Sequence, residues 1–373
     1  MSRPRPQPAA RRRLHEPDWE PPIPGRRRVL HTWNEYMALA KKIIERFDHE
    51  FDLKHFDYLH PVKLQRCATR FRKPYAVRVA YTDWGDPNSP IVVCVGGVAN
   101  TAMRFNYLAA DLESHFRVIC MDWVGRGRSG WMADERDYSQ ATYVEQLRQM
   151  IDHLGGGPVV VLGSSLGGSA AIELAARHPG LVSKLILNDI GPYMPRARRK
   201  RRSETLARHY VFRDPADLLR KIGASQKNDG PISDDIRFNV TFHQTKWSDE
   251  EGGRVYRHDV RALQAYRVDA QQSLDQWRLW KRVHCPVLLI HGMLSDALLP
   301  PTVKRMREKH TVTVMHVPDT GHTPVLSDRN QNWFIHEWLM GRTDGPEWSC
   351  LHARLRDHER EVLGSRSKET APA

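Results

Sequence analysis

The decapeptide Val159-Val-Val-Leu-Gly163-Ser164-Ser165-Leu166-Gly167-Gly168 decides the reading of this chain. An apolar run of strand character passes into G-x-S-x-G, and the small-residue stretch Ser169–Ala176 continues it as a helix. A serine on so sharp a strand-to-helix turn needs neighbours without side chains, because Cβ atoms at 163 and 167 would collide. Gly168 lets the helix approach the sheet. The turn exposes the Ser165 hydroxyl and aims the Leu166 N–H, at the helix N-terminus, toward a bound carbonyl oxygen.

A serine hydroxyl is a poor nucleophile without a base to take its proton and a group to orient that base. Two downstream loops supply candidates. The strand Val287–Ile290 runs into Gly292-Met-Leu-Ser-Asp296, and Val312–Val317 runs into Pro318-Asp-Thr-Gly321-His322. Each places a polar group at the carboxyl end of a strand, where open α/β sheets carry their sites. We therefore expect Ser165, His322 and Asp296 to act together, with Asp189, after the strand Leu185–Asn188, as the rival acid. A second oxyanion donor is expected from Gly96-Gly97-Val98, after the strand Ile91–Val95, with Val98 N–H as the candidate.

The wider pattern fits these placements. Apolar runs at Val77–Tyr81, Ile91–Val95, Val118–Met121, Val159–Leu162, Ile186–Leu187, Val287–Ile290 and Val312–Val317 alternate with helix-like stretches such as Tyr143–Leu154. Continuous apolar strands alternating with helices predict an α/β fold, a mostly parallel sheet covered on both faces. The alternation lapses from Tyr193 to Val283, which we read as an inserted helical cap. The expected organisation is a disordered basic tail over 1–30, then an N-terminal helix and the first part of the core over 31–192. The cap follows over 193–283, the second part of the core over 284–342, and a C-terminal helix and tail over 343–373.

The net charge of +13 is concentrated. Residues 1–30 carry 8 Lys/Arg against 3 Asp/Glu, and residues 193–283 carry 20 against 12, so the two segments hold the whole excess. The run Arg196-Ala-Arg-Arg-Lys-Arg-Arg202 opens the cap. It reads either as a solvated charged face or as a cationic surface that steers an anionic acyl substrate or docks on nucleic acid or another anionic surface. The five cysteines, Cys67, Cys94, Cys120, Cys285 and Cys350, are odd in number and widely spaced, which fits reduced thiols. No C-x-x-C or H-E-x-x-H occurs among the 19 histidines and five cysteines, so no metal and no cofactor are expected. No apolar run is long enough for a membrane span and no secretory signal is visible, so a soluble, cytoplasmic protein is expected.

Gly125-Arg-Gly127-Arg-Ser-Gly130 matches a dinucleotide fingerprint, but the polar Trp131–Asp137 follows where an apolar helix should open. Asp122-Trp-Val-Gly125-Arg-Gly127-Arg-Ser129 instead resembles the D-x-x-G-x-G-x-S segment of the α/β-hydrolase superfamily, which is structural there. With the Ser165 motif and the order Ser, Asp, His, the resemblance covers about 75–341. Where the family often has His-Gly, this chain reads Gly96-Gly97. Some relatives carry the acid at the position of Asp189. The resemblance implies a serine hydrolase cleaving an ester, thioester or lactone through an acyl-enzyme. A carbon–carbon bond hydrolase and a cofactor-free haloperoxidase are the alternatives on the same residues. An alternative of another class is a nucleic-acid or anionic-surface binding protein on a hydrolase scaffold. The cap aromatics Tyr210, Phe212, Phe242, Trp247, Tyr256, Trp277 and Trp280 are candidates to line an acyl pocket or to pack.

Overall fold

A computed structural model describes residues 30–45, 51–61, 74–206, 208–225, 229–230, 232–309, 311–343 and 347–349. The expected basic tail therefore lies outside the described residues apart from Leu30, as does the C-terminal tail beyond Ser349.

The first strands are β1 (Phe51–His60), β2 (Tyr75–Trp84), β3 (Ile91–Val95), β4 (Arg117–Met121), β5 (Val159–Ser164) and β6 (Val182–Asn188). The cap adds β7 (Tyr193–Met194), β8 (Val211–Phe212), β9 (Thr245–Ser248), β10 (Gly253–Tyr256) and β11 (Leu274–Asp275), and the core resumes with β12 (Val287–Gly292), β13 (Val312–Val317) and β14 (Glu347–Ser349). The main sheet runs β1-β2-β4-β3-β5-β6-β12-β13-β14. The ladders from β4 through β14 are parallel, while β1–β2 and β2–β4 are antiparallel.

Successive side chains of a strand point to opposite faces, and both faces here are covered. In β3, Val93 and Val95 join one core while Val92 and Cys94 join the other; in β12, Val287 and Leu289 separate from Leu288 and Ile290 in the same way. That is why these strands read as unbroken apolar runs. Helices α3 (Gln140–His153), α4 (Leu166–Arg177) and α10 (Pro300–Met306) contribute to the first core, and α2 (Asn106–Leu112) and α11 (Arg329–Leu339) to the second.

The expected N-terminal helix is α1 (Trp33–Ile44). Thr32 and Glu35 form a capping box at its start. Its buried face, Tyr36, Ala40 and Ile43, packs with Leu218, Ile222 and Phe238 of the cap, and Trp33 Nε1 donates to Arg213 O at 3.0 Å. Burial of a side chain such as Ile43 contributes about 2 kcal/mol, so α1 fastens the cap.

Between β6 and β12 lie α5 (Arg196–Leu206), α6 (Pro215–Ser225), α7 (Asp234–Gln244), α8 (Val260–Asp269) and α9 (Trp277–Trp280). Two small sheets, β8-β10-β9 and β11-β7, accompany them. At the other end, Glu347–Ser349, within the segment 343–373 expected to be a C-terminal helix and tail, forms strand β14 and extends the sheet edge beside β13.

His243, on α7, is buried, and burial followed by the charges of Arg128, Arg257 and Arg254 pushes its pKa down to about 3. Because the folded value lies below the unfolded one of about 6.5, the unfolded state binds the proton first as pH falls. Stability should therefore decline as pH drops from about 6.5 toward 3. Urea midpoints at pH 7 and pH 4.5 should differ less in His243→Gln than in wild type.

Candidate active site

The sheet order brings the carboxyl ends of β3, β5, β6, β12 and β13 together, and the site lies along that edge. Ser165 follows β5 with φ 50° and ψ −112°, a strained conformation that throws its hydroxyl out of the turn. A Cβ at Gly163 would lie 2.5 Å from the Gly167 carbonyl carbon, and one at Gly167 would lie 2.4 Å from Val95 O. These backbone contacts cannot yield as a flexible side chain would. Gly167→Ala should cost about 3 kcal/mol, read as a lowered urea midpoint.

His322 Nε2 lies 3.0 Å from Ser165 Oγ, as expected from the sequence. Its other nitrogen corrects the expectation about the acid. His322 Nδ1 lies 2.8 Å from Asp189 Oδ2, and Asp189, directly after β6, is fully buried with φ 53°. Asp189 also accepts from Gly292 N at 2.9 Å and Ser295 Oγ at 2.5 Å. The loop after β12 thus supplies donors to the carboxylate in place of the carboxylate itself.

Asp296 faces the cap. Its side chain is 47% exposed and accepts from Arg198 Nε at 2.6 Å and from Arg201 Nη2. Partial burial pushes its pKa up, but the Arg198 charge and the hydrogen bonds of Arg198 and Arg201 outweigh this and hold the carboxyl below its ordinary value. A carboxylate engaged by two guanidinium groups is occupied elsewhere, and His322 already has its partner.

The loop after β3 approaches Ser165 from the opposite side. Gly97 N donates to Asn100 Oδ1 at 3.2 Å, so that N–H is engaged, while no backbone partner takes Val98 N–H among the described residues. Leu166, the first residue of α4, presents its N–H at the helix start. The segment that mimicked a dinucleotide motif braces this loop. Trp123 Nε1 donates to Gly96 O at 2.8 Å and Arg126 Nε to Val98 O at 2.9 Å. Asp122 accepts from Ala102 N at 2.6 Å and Arg128 N at 2.8 Å. The backbone N–H groups from Gly125 to Gly130 all donate inside the fold, which leaves no phosphate cradle.

A cavity of about 330 Å³ opens over Ser165 and His322. The cap contributes one face of α5, with Arg198, Arg201, Arg202 and Thr205, at helical spacing. Arg199, on the other side of α5, is buried and pairs with Asp269, as Arg198 is buried against Asp296, while Arg196, Lys200 and Arg201 are exposed, so the basic run is packed on one side and solvated on the other. Arg104 of the core lies 3.5 Å from Asp229 and donates to Thr323 O at 2.8 Å, next to His322. None of the seven cap aromatics named above lines the cavity; Phe212 and Trp280, for example, are core residues. Among the described residues no group of three or more His, Cys, Asp or Glu could hold a metal ion. No described helix is long and apolar enough to cross a membrane.

A parallel sheet with a serine on the β5–α4 turn and a histidine after β13 defines an α/β-fold hydrolase. The chain belongs to the alpha/beta hydrolase fold family, whose model matches residues 89–328. It is 33% identical over 276 residues to the 3-hydroxybutyrate-oligomer hydrolase of Cupriavidus necator, covering 71% of this chain and 93% of that one. Among solved structures, an alpha/beta hydrolase from Novosphingobium aromaticivorans matches with TM-score 0.67 and 23% identity over 79% of this chain and 99% of that one. An esterase of M. tuberculosis matches with TM-score 0.58 and 21% identity over 82% and 98%. At those identities the two structures speak to the fold alone.

Proposed function

We propose that the protein is a serine ester hydrolase working through an acyl-enzyme, with Ser165 as nucleophile, His322 as general base and Asp189 as the acid that orients it. The observation that carries this reading is the unbroken hydrogen-bond chain Ser165–His322–Asp189 at 3.0 and 2.8 Å. Ser165 Oγ attacks the ester carbonyl while His322 Nε2 takes its proton. The imidazolium then returns that proton to the departing alkoxide, and a water activated by the same nitrogen releases the acid. Asp189, buried and paired with no Lys or Arg among the described residues, holds Nδ1–H and stabilises the imidazolium. Leu166 and Val98 N–H groups are the proposed oxyanion donors.

The similarity to a 3-hydroxybutyrate-oligomer hydrolase supports short hydroxyalkanoate esters as the substrate class. A cytoplasmic location belongs to the same proposal and is supported by the free thiols of Cys94, Cys120 and Cys285. Wild type should hydrolyse both p-nitrophenyl butyrate and the linear 3-hydroxybutyrate dimer, and Ser165→Ala neither. Folded wild type that cleaves no ester would overturn the reading in favour of a binding protein on this scaffold.

A further inference from the structure

The cavity over Ser165 is lined by four arginines, Arg104, Arg198, Arg201 and Arg202, against two aspartates, Asp229 and Asp296. The pairing within this set is uneven. Arg104 lies against Asp229, and Arg198 and Arg201 share Asp296. The Arg202 guanidinium has no hydrogen bond or ion pair among the described residues, although its helix places it in the cavity wall. Asp229, Tyr266 and Tyr256 act on it favourably at longer range, and Arg198 acts against it. Burial and then Arg198 push its pKa down, and the longer-range attraction of Asp229 offsets this only in part. A planar guanidinium with free N–H groups facing a substrate cavity matches a carboxylate bidentately.

We propose that Arg202 is the subsite for a free carboxylate on the substrate, making this a hydrolase of carboxylate-terminated short esters. The inference rests on the serine hydrolase reading and adds the feature that selects among esters. A linear hydroxyalkanoate oligomer has the required chemistry, because each cleavage at its acid end releases a hydroxy acid whose carboxylate never reacts. The carboxylate is thus a handle separate from the scissile carbonyl. The excess of positive charge in the cavity draws that handle in, and Arg202 fixes its position.

The test compares the linear 3-hydroxybutyrate dimer with the same dimer capped as its terminal methylamide, in wild type, Arg202→Gln and Arg202→Lys. Wild type should prefer the free acid. Loss of a charge-assisted, hydrogen-bonded pair lowers the acid-to-amide ratio of kcat/KM about 10- to 100-fold in Arg202→Gln, mostly through KM. Arg202→Lys, which keeps the charge but loses the fork, should fall between. Thermal melting verifies that the variants are folded. An acid-to-amide ratio that Arg202→Gln leaves within about twofold of wild type overturns the subsite while the hydrolase reading stands. No cleavage of either dimer or of p-nitrophenyl butyrate by wild type overturns both.

Discussion

Asp189→Asn is expected to lower kcat on p-nitrophenyl butyrate by about a thousand- to ten-thousand-fold, and Asp296→Asn by less than about tenfold. The contrast follows from what each carboxylate touches. Asp189 accepts from His322 Nδ1, and an asparagine amide in its place can donate to that nitrogen and move the ring proton to Nε2. Nε2 could then no longer take the proton of Ser165. Gly292 N would still find the asparagine carbonyl at the Oδ1 position, while Ser295 Oγ, which shares Oδ2 with His322, would turn from donor to acceptor of the amide N–H. Among the described residues the Asp296 carboxylate bonds to Arg198 and Arg201, and neutralising it leaves the His322 chain intact while the cavity becomes more positive. Steady-state kinetics on both variants, with melting curves to verify folding, give the answer. Equal losses would contradict the assignment of the acid.

The second large effect concerns the serine. Ser165→Ala should lower kcat by about ten-thousand- to a million-fold, leaving the residual rate that oxyanion stabilisation and binding provide alone. The double variant Ser165→Ala with Asp189→Asn should lose little more than Ser165→Ala, because residues of one proton-transfer unit fail together. Additive losses would mean that Asp189 acts outside the Ser165–His322 unit.

Much of this was legible in the sequence, for identifiable reasons. The strands β3, β5 and β12 were visible because both their faces are buried. Ser165 was visible because its turn excludes Cβ atoms at 163 and 167, a constraint written directly as glycine. His322 followed from its place after β13.

The expected partner of His322 was Asp296 and the structure places Asp189 there, because two aspartates stand beyond adjacent parallel strands and linear order does not reveal which carboxylate turns toward the imidazole. Asp296, four residues beyond β12, has room to swing to the cap arginines; Asp189, one residue beyond β6, is fixed in the buried floor. Its signal was that proximity to the strand end. Strand β1 went unrecognised because only Phe56, Tyr58 and His60 are buried along it. Charged and histidine residues interrupt its alternation. The basic run Arg196–Arg202 was visible as charge alone. That Arg199 is buried and Arg202 faces the cavity depends on partners such as Asp269 and on the register of α5, which composition does not carry.

The central claim is an activated serine at 165 whose base is held by Asp189. The measurement that reaches it most directly is the rate of labelling by a fluorophosphonate probe, located by peptide mass spectrometry, in wild type, Asp189→Asn and Asp296→Asn. Labelling at Ser165 is expected in wild type and Asp296→Asn at comparable rates, and slower by at least about a hundredfold in Asp189→Asn. Folded wild type that stays unlabelled at Ser165, or slow labelling in Asp296→Asn with fast labelling in Asp189→Asn, would contradict it.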